Sequence, residues 1–336
     1  MMRWRPRSRV LGLTAALGLA LSGISGPDVA EAETKLTFSH HVPTTHILHA
    51  TAERFAHTVQ EKTNGQVVVE IRPASQLFNL RTSAEALQLG TLDLAWTDLG
   101  SLGNWYPPLG FTAMPFLFKD FEHAYRVLYG PLGEQVRREV RERLGVEILS
   151  LGVSGFRVFV TKRPVRTAAD VQGIKLRVPE IPVYVEMARA LGTNPTPIPA
   201  GEIYTALQTG VVDGMEAPAD FVESAKLFEV ARHVTRTYHI MTEVSLMASA
   251  KRLSALPPDQ QKAVRDAATE VVQGWYKTEN MKAQEAAWQS LTQKMQANPA
   301  PDIASFQAKM GPVIDGFVAK VGPKGREYVD AVRAAK

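Results

Sequence analysis

Residues 202–216 read EIYTALQTGVVDGME, from Glu202 to Glu216. A helical period runs from Gly201 to Thr209, and Gly210 stops it, since glycine takes the left-handed conformation that closes helices. Val211–Met215 then continues as a strand rich in β-branched residues. A helix that hands over to a strand across one glycine is the repeating unit of an α/β fold.

The same alternation extends outward in both directions. Upstream, Lys35–Ser39 reads as a strand and Thr45–Asn64 as a helix that places Leu48, Ala52, Phe55 and Val59 on one face. Gln66–Ile71 is a second strand, Ser83–Leu89 a short helix, and Thr91–Trp96 a third strand. Phe121–Leu128 and Leu132–Leu144 are helices, and Glu147–Leu151 is a strand. A second cycle opens with strands Phe156–Thr161 and Ile174–Val178 and the helix Val183–Leu191. Downstream, Asp220–Phe228 is a helix and Glu243–Ala250 a strand. Pro258 to Asn298 is one long helical pattern of about 60 Å at 1.5 Å per residue, with a bend expected at Gly274. Such a helix is longer than one small lobe, so it is expected to lie across two.

The chain has 336 residues, no cysteine and a formal net charge of +4. Residues 1–32 have the character of a cleavable export signal. Arg3, Arg5, Arg7 and Arg9 precede the apolar run Val10–Leu21, and Ala30-Glu31-Ala32 ends the segment. Those four arginines outweigh Asp28 and Glu31, so the net charge falls to +2 without them. The near-balance argues against a nucleic-acid partner. The missing cysteines exclude disulfides, thiolate metal sites and cysteine nucleophiles. There is no G-x-S-x-G, no H-E-x-x-H and no phosphate-binding P-loop. The expectation is a periplasmic protein that is not an enzyme and carries no cofactor.

Lys175-Leu176-Arg177-Val178-Pro179 stands out, because an arginine interrupts an apolar strand. A buried guanidinium needs an anion, and its planar fork matches a carboxylate. That anion is either a ligand acid or an internal Asp or Glu. Arg157, in Gly155-Phe156-Arg157, repeats the pattern.

The chain resembles the solute-binding proteins of TRAP transporters, the DctP family. The resemblance rests on an ordered series of motifs that covers most of the chain. Ala74-Ser75-Gln76-Leu77 comes first, then Leu87-Gln88-Leu89-Gly90-Thr91-Leu92-Asp93, and then Met114-Pro115-Phe116-Leu117-Phe118. Gly155-Phe156-Arg157 and Gly173–Pro179 follow, and the segment quoted at the outset closes the series. The resemblance implies a two-lobed periplasmic binding protein fold with hinge strands and one long helix spanning both lobes. The expected lobes are 33–154 with 243–283 and 155–242 with 284–336. It implies a small organic acid between the lobes, and the small and large membrane subunits of a TRAP permease as partners to a monomer. Arg177 matches the family arginine that pairs with the ligand carboxylate, and Arg157 one that assists it. His41 and Asp98 fall at positions that supply polar groups, with Trp96 beside Asp98.

Three segments depart from the family pattern. Ala217 stands where the family offers an asparagine, Pro199-Ala200-Gly201 lacks a bulky aromatic, and Phe78-Asn79-Leu80-Arg81 replaces Gly and acidic residues. These changes favour a small carboxylate, a dicarboxylate or oxo acid, or an acid with an apolar body, over a sialate or uronate. The ligand-binding set is therefore Arg177, Arg157, His41, Asp98, Trp96, Glu216, Ala217 and Leu80. Within it, Trp96 has a competing reading as core, Asp98 as a helix cap, and Glu216 as the holder of an arginine. Two rival readings of the whole chain are a ligand-sensing receptor and a periplasmic enzyme. A third rests on the stripe His46, His49, Glu53 and His57, read as a solvated helix face with metal-binding spacing.

Overall fold

The computed structural model describes residues 33–335, and the expected export segment lies outside them. Among the described residues no helix is long and apolar enough to cross a membrane. The strands are β1 (Thr34–Ser39), β2 (Val67–Arg72), β3 (Leu94–Thr97), β4 (Val146–Thr161) and β5 (Lys175–Val178). β6 (Asn194–Pro197), β7 (Gly214–Pro218), β8 (His233–Thr235), β9 (Met241–Ser249) and β10 (Gln296–Asn298) complete them. They form one ladder in the order β2-β1-β3-β9-β4-β7-β5-β6, with β8 paired to β4 and β10 to β8. β1 runs parallel to β2 and β3, and β5 parallel to β6 and β7. These two parallel halves are the two lobes, and the antiparallel strands β4 and β9 join them.

β4 is where the sequence reading and the structure part. The expected strands Glu147–Leu151 and Phe156–Thr161 are one strand of 16 residues, about 50 Å long. Its first part pairs with β9, and Arg157–Thr161 pairs with β7. The glycine-rich passage between them is no turn. A Cβ at Gly155 would lie 2.7 Å from the Gln284 side chain, so glycine there lets the long helix lie on the strand. Register shifts at Ile148/Ser150 and Val153/Gly155 bend the strand as it passes between the lobes. The long helix takes the carbonyls at this bend. Asn280 donates to Val153 O at 2.7 Å and Ser154 O at 2.9 Å, and Gln284 donates to Ser154 O at 2.7 Å.

That helix runs from Pro258 to Lys294, with an α-helical start, π-helical turns over Glu270–Tyr276 and an α-helical end. The bend expected at Gly274 falls inside the π-helical turns, a common cause of helix distortion. The helix ends before the expected Asn298 because Gln296–Asn298 pairs with β8 instead. Gly210, at φ +78°, closes the Ile203–Thr209 helix and receives the chain into β7. The expected helix Asp220–Phe228 stops at Ser224, where Lys226 turns the chain with a positive φ.

Side chains alternate across the continuous sheet, so each face buries its own core. Leu94, Trp96, Val158 and Val160 point into one, with Phe55, Tyr276 and Trp288. Ala95, Phe159, Leu176 and Val178 point into the other, with Phe111, Tyr125 and Tyr328. Each core includes residues from both lobes.

The helix Pro323–Ala334 is pinned by one carboxylate. Glu139 accepts from the Tyr328 hydroxyl at 2.8 Å, from Lys324 and Gln135 at 3.0 Å, and from the Tyr106 hydroxyl. Burial pushes its pKa up, but these hydrogen bonds outweigh burial and bring it down to about 2. A carboxyl whose folded pKa lies below its unfolded value stabilises the fold above the unfolded value, and that stability is lost as pH falls through the folded one. Glu139→Gln is expected to cost about 1–2 kcal/mol at pH 7, since solvent reaches part of the cluster. Thermal unfolding of both proteins should show the gap closing between about pH 4.5 and pH 2. A gap independent of pH would remove Glu139 from acid stability.

Candidate functional site

A cavity of about 820 Å³, its open mouth included, lies at the carboxyl ends of β1, β3, β5 and β7. That is where ligands sit in open parallel sheets. Its floor is the crossing pair β4 and β9, which contribute Ser154, Arg157, Thr242, Glu243 and Val244.

Period-two alternation in β5 sends Leu176 and Val178 into the core and Arg177 the other way, into the cavity. Arg177 is only 5% exposed. Its Nε donates to Ile198 O at 2.8 Å, and among the described residues no carboxylate lies within ion-pair distance of it. Burial, followed by the neighbouring Arg157, lowers its pKa to about 9. This is a desolvated cation waiting for an anion.

Arg157 also lines the cavity, but its charge is already matched. The Glu216 carboxylate grips it through Nε and one terminal nitrogen, and the other terminal nitrogen donates to Thr242 Oγ1 at 3.1 Å. The guanidinium lies 4.9 Å from the Tyr184 ring centroid. Glu216 is fully buried behind it and does not reach the cavity. Of the two readings of Glu216, ligand contact and holder of an arginine, the geometry fits the second. Burial raises the Glu216 pKa, but Arg157 and His239 outweigh burial and leave it lowered.

Asp98 both caps and faces the cavity. Its Oδ1 accepts from Ser101 N at 2.5 Å, opening the helix Leu99–Leu102, and no basic side chain pairs with it among the described residues. Burial raises its pKa. Beside it Glu243 accepts from Leu99 N at 2.6 Å and from the Ser245 hydroxyl. Burial and then Asp98 push the Glu243 pKa up to about 8, so this carboxyl is mostly protonated at neutral pH. His41, Leu80 and Ala217 line the cavity as expected positions. His41 is kept neutral, its pKa lowered to about 3 by burial and then by His40, His46 and Arg177.

Trp96 does not line the cavity. Its ring is fully buried between Phe38 and Tyr276, and its Nε1 donates to Leu48 O at 3.0 Å. All four residues of β3 are buried, so each face of the strand is a core face and the indole belongs to one of them.

The histidine stripe is also corrected. His46, not Thr44 or Thr45, caps the Ile47–Lys62 helix, with Nδ1 accepting from Leu48 N at 3.1 Å. The ring is buried, and Nε2 lies 3.0 Å from Asp220 Oδ2. That contact ties the start of a helix on the β1–β3 half to a helix on the β7 half at the cavity wall. His49 joins His40 at 3.0 Å, while Glu53 and His57 face solvent. Among the described residues no three His, Asp or Glu side chains are placed to hold a metal ion. Glu243, Tyr184, Thr242 and the His46–Asp220 pair are the site residues that the sequence reading missed.

The cavity thus presents one unmatched guanidinium in a two-lobed fold. Residues 38–320 match the family model described as bacterial extracellular solute-binding protein, family 7, DctP. The chain belongs to the DctP family. A solute-binding protein of Roseobacter denitrificans is 33% identical over 78% of this chain and 79% of its own length. Among solved structures, a TRAP periplasmic solute-binding protein of Polaromonas sp. JS666, bound to D-erythronate, has a TM-score of 0.85 at 31% identity. It matches over 90% of this chain and 99% of its own. A TRAP periplasmic solute-binding protein of Sulfurospirillum deleyianum, with bound succinate, also has a TM-score of 0.85, at 27% identity, covering 91% of this chain and all of its own. As a DctP protein the chain stands among transport proteins that bind solutes and work with TRAP membrane permeases.

Proposed function

We propose that this DctP protein captures a small organic acid in the cavity and delivers it to a TRAP-type secondary transporter. Arg177 is the observation that carries this reading. A buried guanidinium without a carboxylate partner costs stability, and an acid ligand removes that cost. Arg157 is fixed by Glu216 and frames the ligand, and His41, Leu80 and Ala217 shape the rest of the wall. The protein binds without turnover, acts as a monomer, and reaches the periplasm by cleavage after residue 32. Its partners are the small and large membrane subunits of the permease.

Capture closes the two lobes, 33–154 with 243–283 against 155–242 with 284–336. The ligand drives closure by binding the closed form better. The bends in β4 and the His46–Asp220 contact support this motion, the first as a flexing point and the second as a latch.

A thermal-shift screen of the purified protein tests the proposal. Acids that bind are expected to raise the melting temperature, with about 2.7 kcal/mol of stabilisation at a hundred times Kd. Their primary amides are expected to leave it unchanged. Equal stabilisation by acid and amide, or none by any acid, would remove the carboxylate from the recognition.

A further inference from the structure

The charges around the cavity can be paired off one at a time. Arg157 is held by Glu216, Arg81 lies 3.7 Å from Glu180, and His46 lies 3.0 Å from Asp220. Arg177, Asp98 and Glu243 are left without an ion-pair partner among the described residues, and of the two carboxyls Glu243 is the one whose burial most favours the neutral form. One free cation can hold one carboxylate. A second carboxylate in the same cavity would have no free cation of its own and would meet Asp98.

We infer that Asp98 restricts this DctP protein to monocarboxylic acids that carry a hydroxyl group: Arg177 takes the carboxylate, Asp98 accepts the hydroxyl hydrogen, and dicarboxylic acids are turned away. The inference rests on the cavity being the acid site, and it departs from the dicarboxylate expectation drawn from the loop residues. Asp98 is suited to accept. Its Oδ1 is fixed by the Ser101 amide, so the carboxylate is held in place where the cavity wall begins. Glu243, its neighbour, already accepts from the Leu99 amide and the Ser245 hydroxyl, which leaves Asp98 the more available acceptor. Like charges disfavour each other strongly where water is scarce, and a site built for a hydroxyl rejects analogues that lack one.

The test is calorimetry on the purified protein with acids matched in carbon number. Erythronate, tartrate and succinate form one series, and galactonate and galactarate the other. Wild type is expected to bind the monoacid of at least one series about a hundredfold tighter than its diacids. Asp98→Asn keeps the acceptor for Ser101 and removes the charge, and it is expected to shrink that ratio at least tenfold, mainly by tighter diacid binding. A diacid that binds wild type as tightly as its monoacid overturns the inference. So does a ratio unchanged by Asp98→Asn. In both cases, loss of all acid binding in Arg177→Ala would show that the cavity reading stands and only the selectivity fails. If no acid of either series binds wild type, the cavity reading falls and this inference with it.

Discussion

Arg177→Ala is expected to weaken carboxylate binding by about thirty-fold to several thousand-fold and to leave the fold intact. Truncating one partner of a buried, hydrogen-bonded charge pair costs about 2–5 kcal/mol, and about 1.4 kcal/mol is a factor of ten in affinity. The unliganded protein behaves differently. There Arg177 has no carboxylate to lose, and its burial already works against its charge. Removing it relieves that cost, so the melting temperature without ligand is expected to stay level or rise. Arg177→Lys is expected to fall between wild type and alanine, because an ammonium keeps the charge but not the two-pronged fork. Calorimetry with a bound acid, paired with thermal unfolding without it, checks both halves. Near-normal affinity in Arg177→Ala would end its role as carboxylate clamp, and a large fall in unliganded stability would make it a structural residue.

How much of this was readable from the sequence depends on what each residue's neighbours are. Arg177 was legible because it stands between the apolar Leu176 and Val178, so a charged residue there announces a face that is not core. Glu243 sends the same signal, in Met241-Thr242-Glu243-Val244, yet it was missed. The strand was expected to begin at Glu243, which reads as a polar edge, whereas β9 begins at Met241 and makes Glu243 an interior residue. A shift of a residue or two also misplaced His46. With the cap at Thr44 or Thr45 it joins a solvent-facing stripe, but as the cap itself it points at Asp220. Trp96 gave no local clue, since β3 is covered on both faces by elements distant in sequence. β4 was hidden by Gly152 and Gly155, which fall in the gap between the two expected strands and serve as landing space for the long helix. The helices beyond Asn298 went unread, because what fixes the last of them, the Glu139 cluster, is assembled from three separate segments.

Glu216→Ala is expected to be the most destabilising change at the site, by about 3–5 kcal/mol, because it leaves the Arg157 guanidinium buried without its partner. For a chain of this size that corresponds to a fall of about 5–8 °C in melting temperature. Glu216 sits at 0% exposure, so no solvent can take over its role. The dependence on pH follows from the lowered Glu216 pKa. Its folded value lies below its unfolded value, so the pair stabilises the fold above the unfolded value and loses that contribution as pH falls through the folded one. The difference between wild type and Glu216→Ala is therefore expected to be full at neutral pH and to shrink on acidification. A double variant separates structure from recognition. Arg157→Met with Glu216→Leu replaces the ion pair by apolar groups of similar volume, and it is expected to recover most of the lost stability. It is not expected to recover binding, because the ring of Tyr184 and the hydroxyl of Thr242 would lose the guanidinium that lies against them. Chemical unfolding of wild type, Arg157→Met alone, Glu216→Leu alone and the double variant forms a closed cycle. A coupling near zero would mean that Glu216 does not hold Arg157. A strong coupling with affinity preserved in the double variant would make the pair a piece of the core with no part in shaping the site.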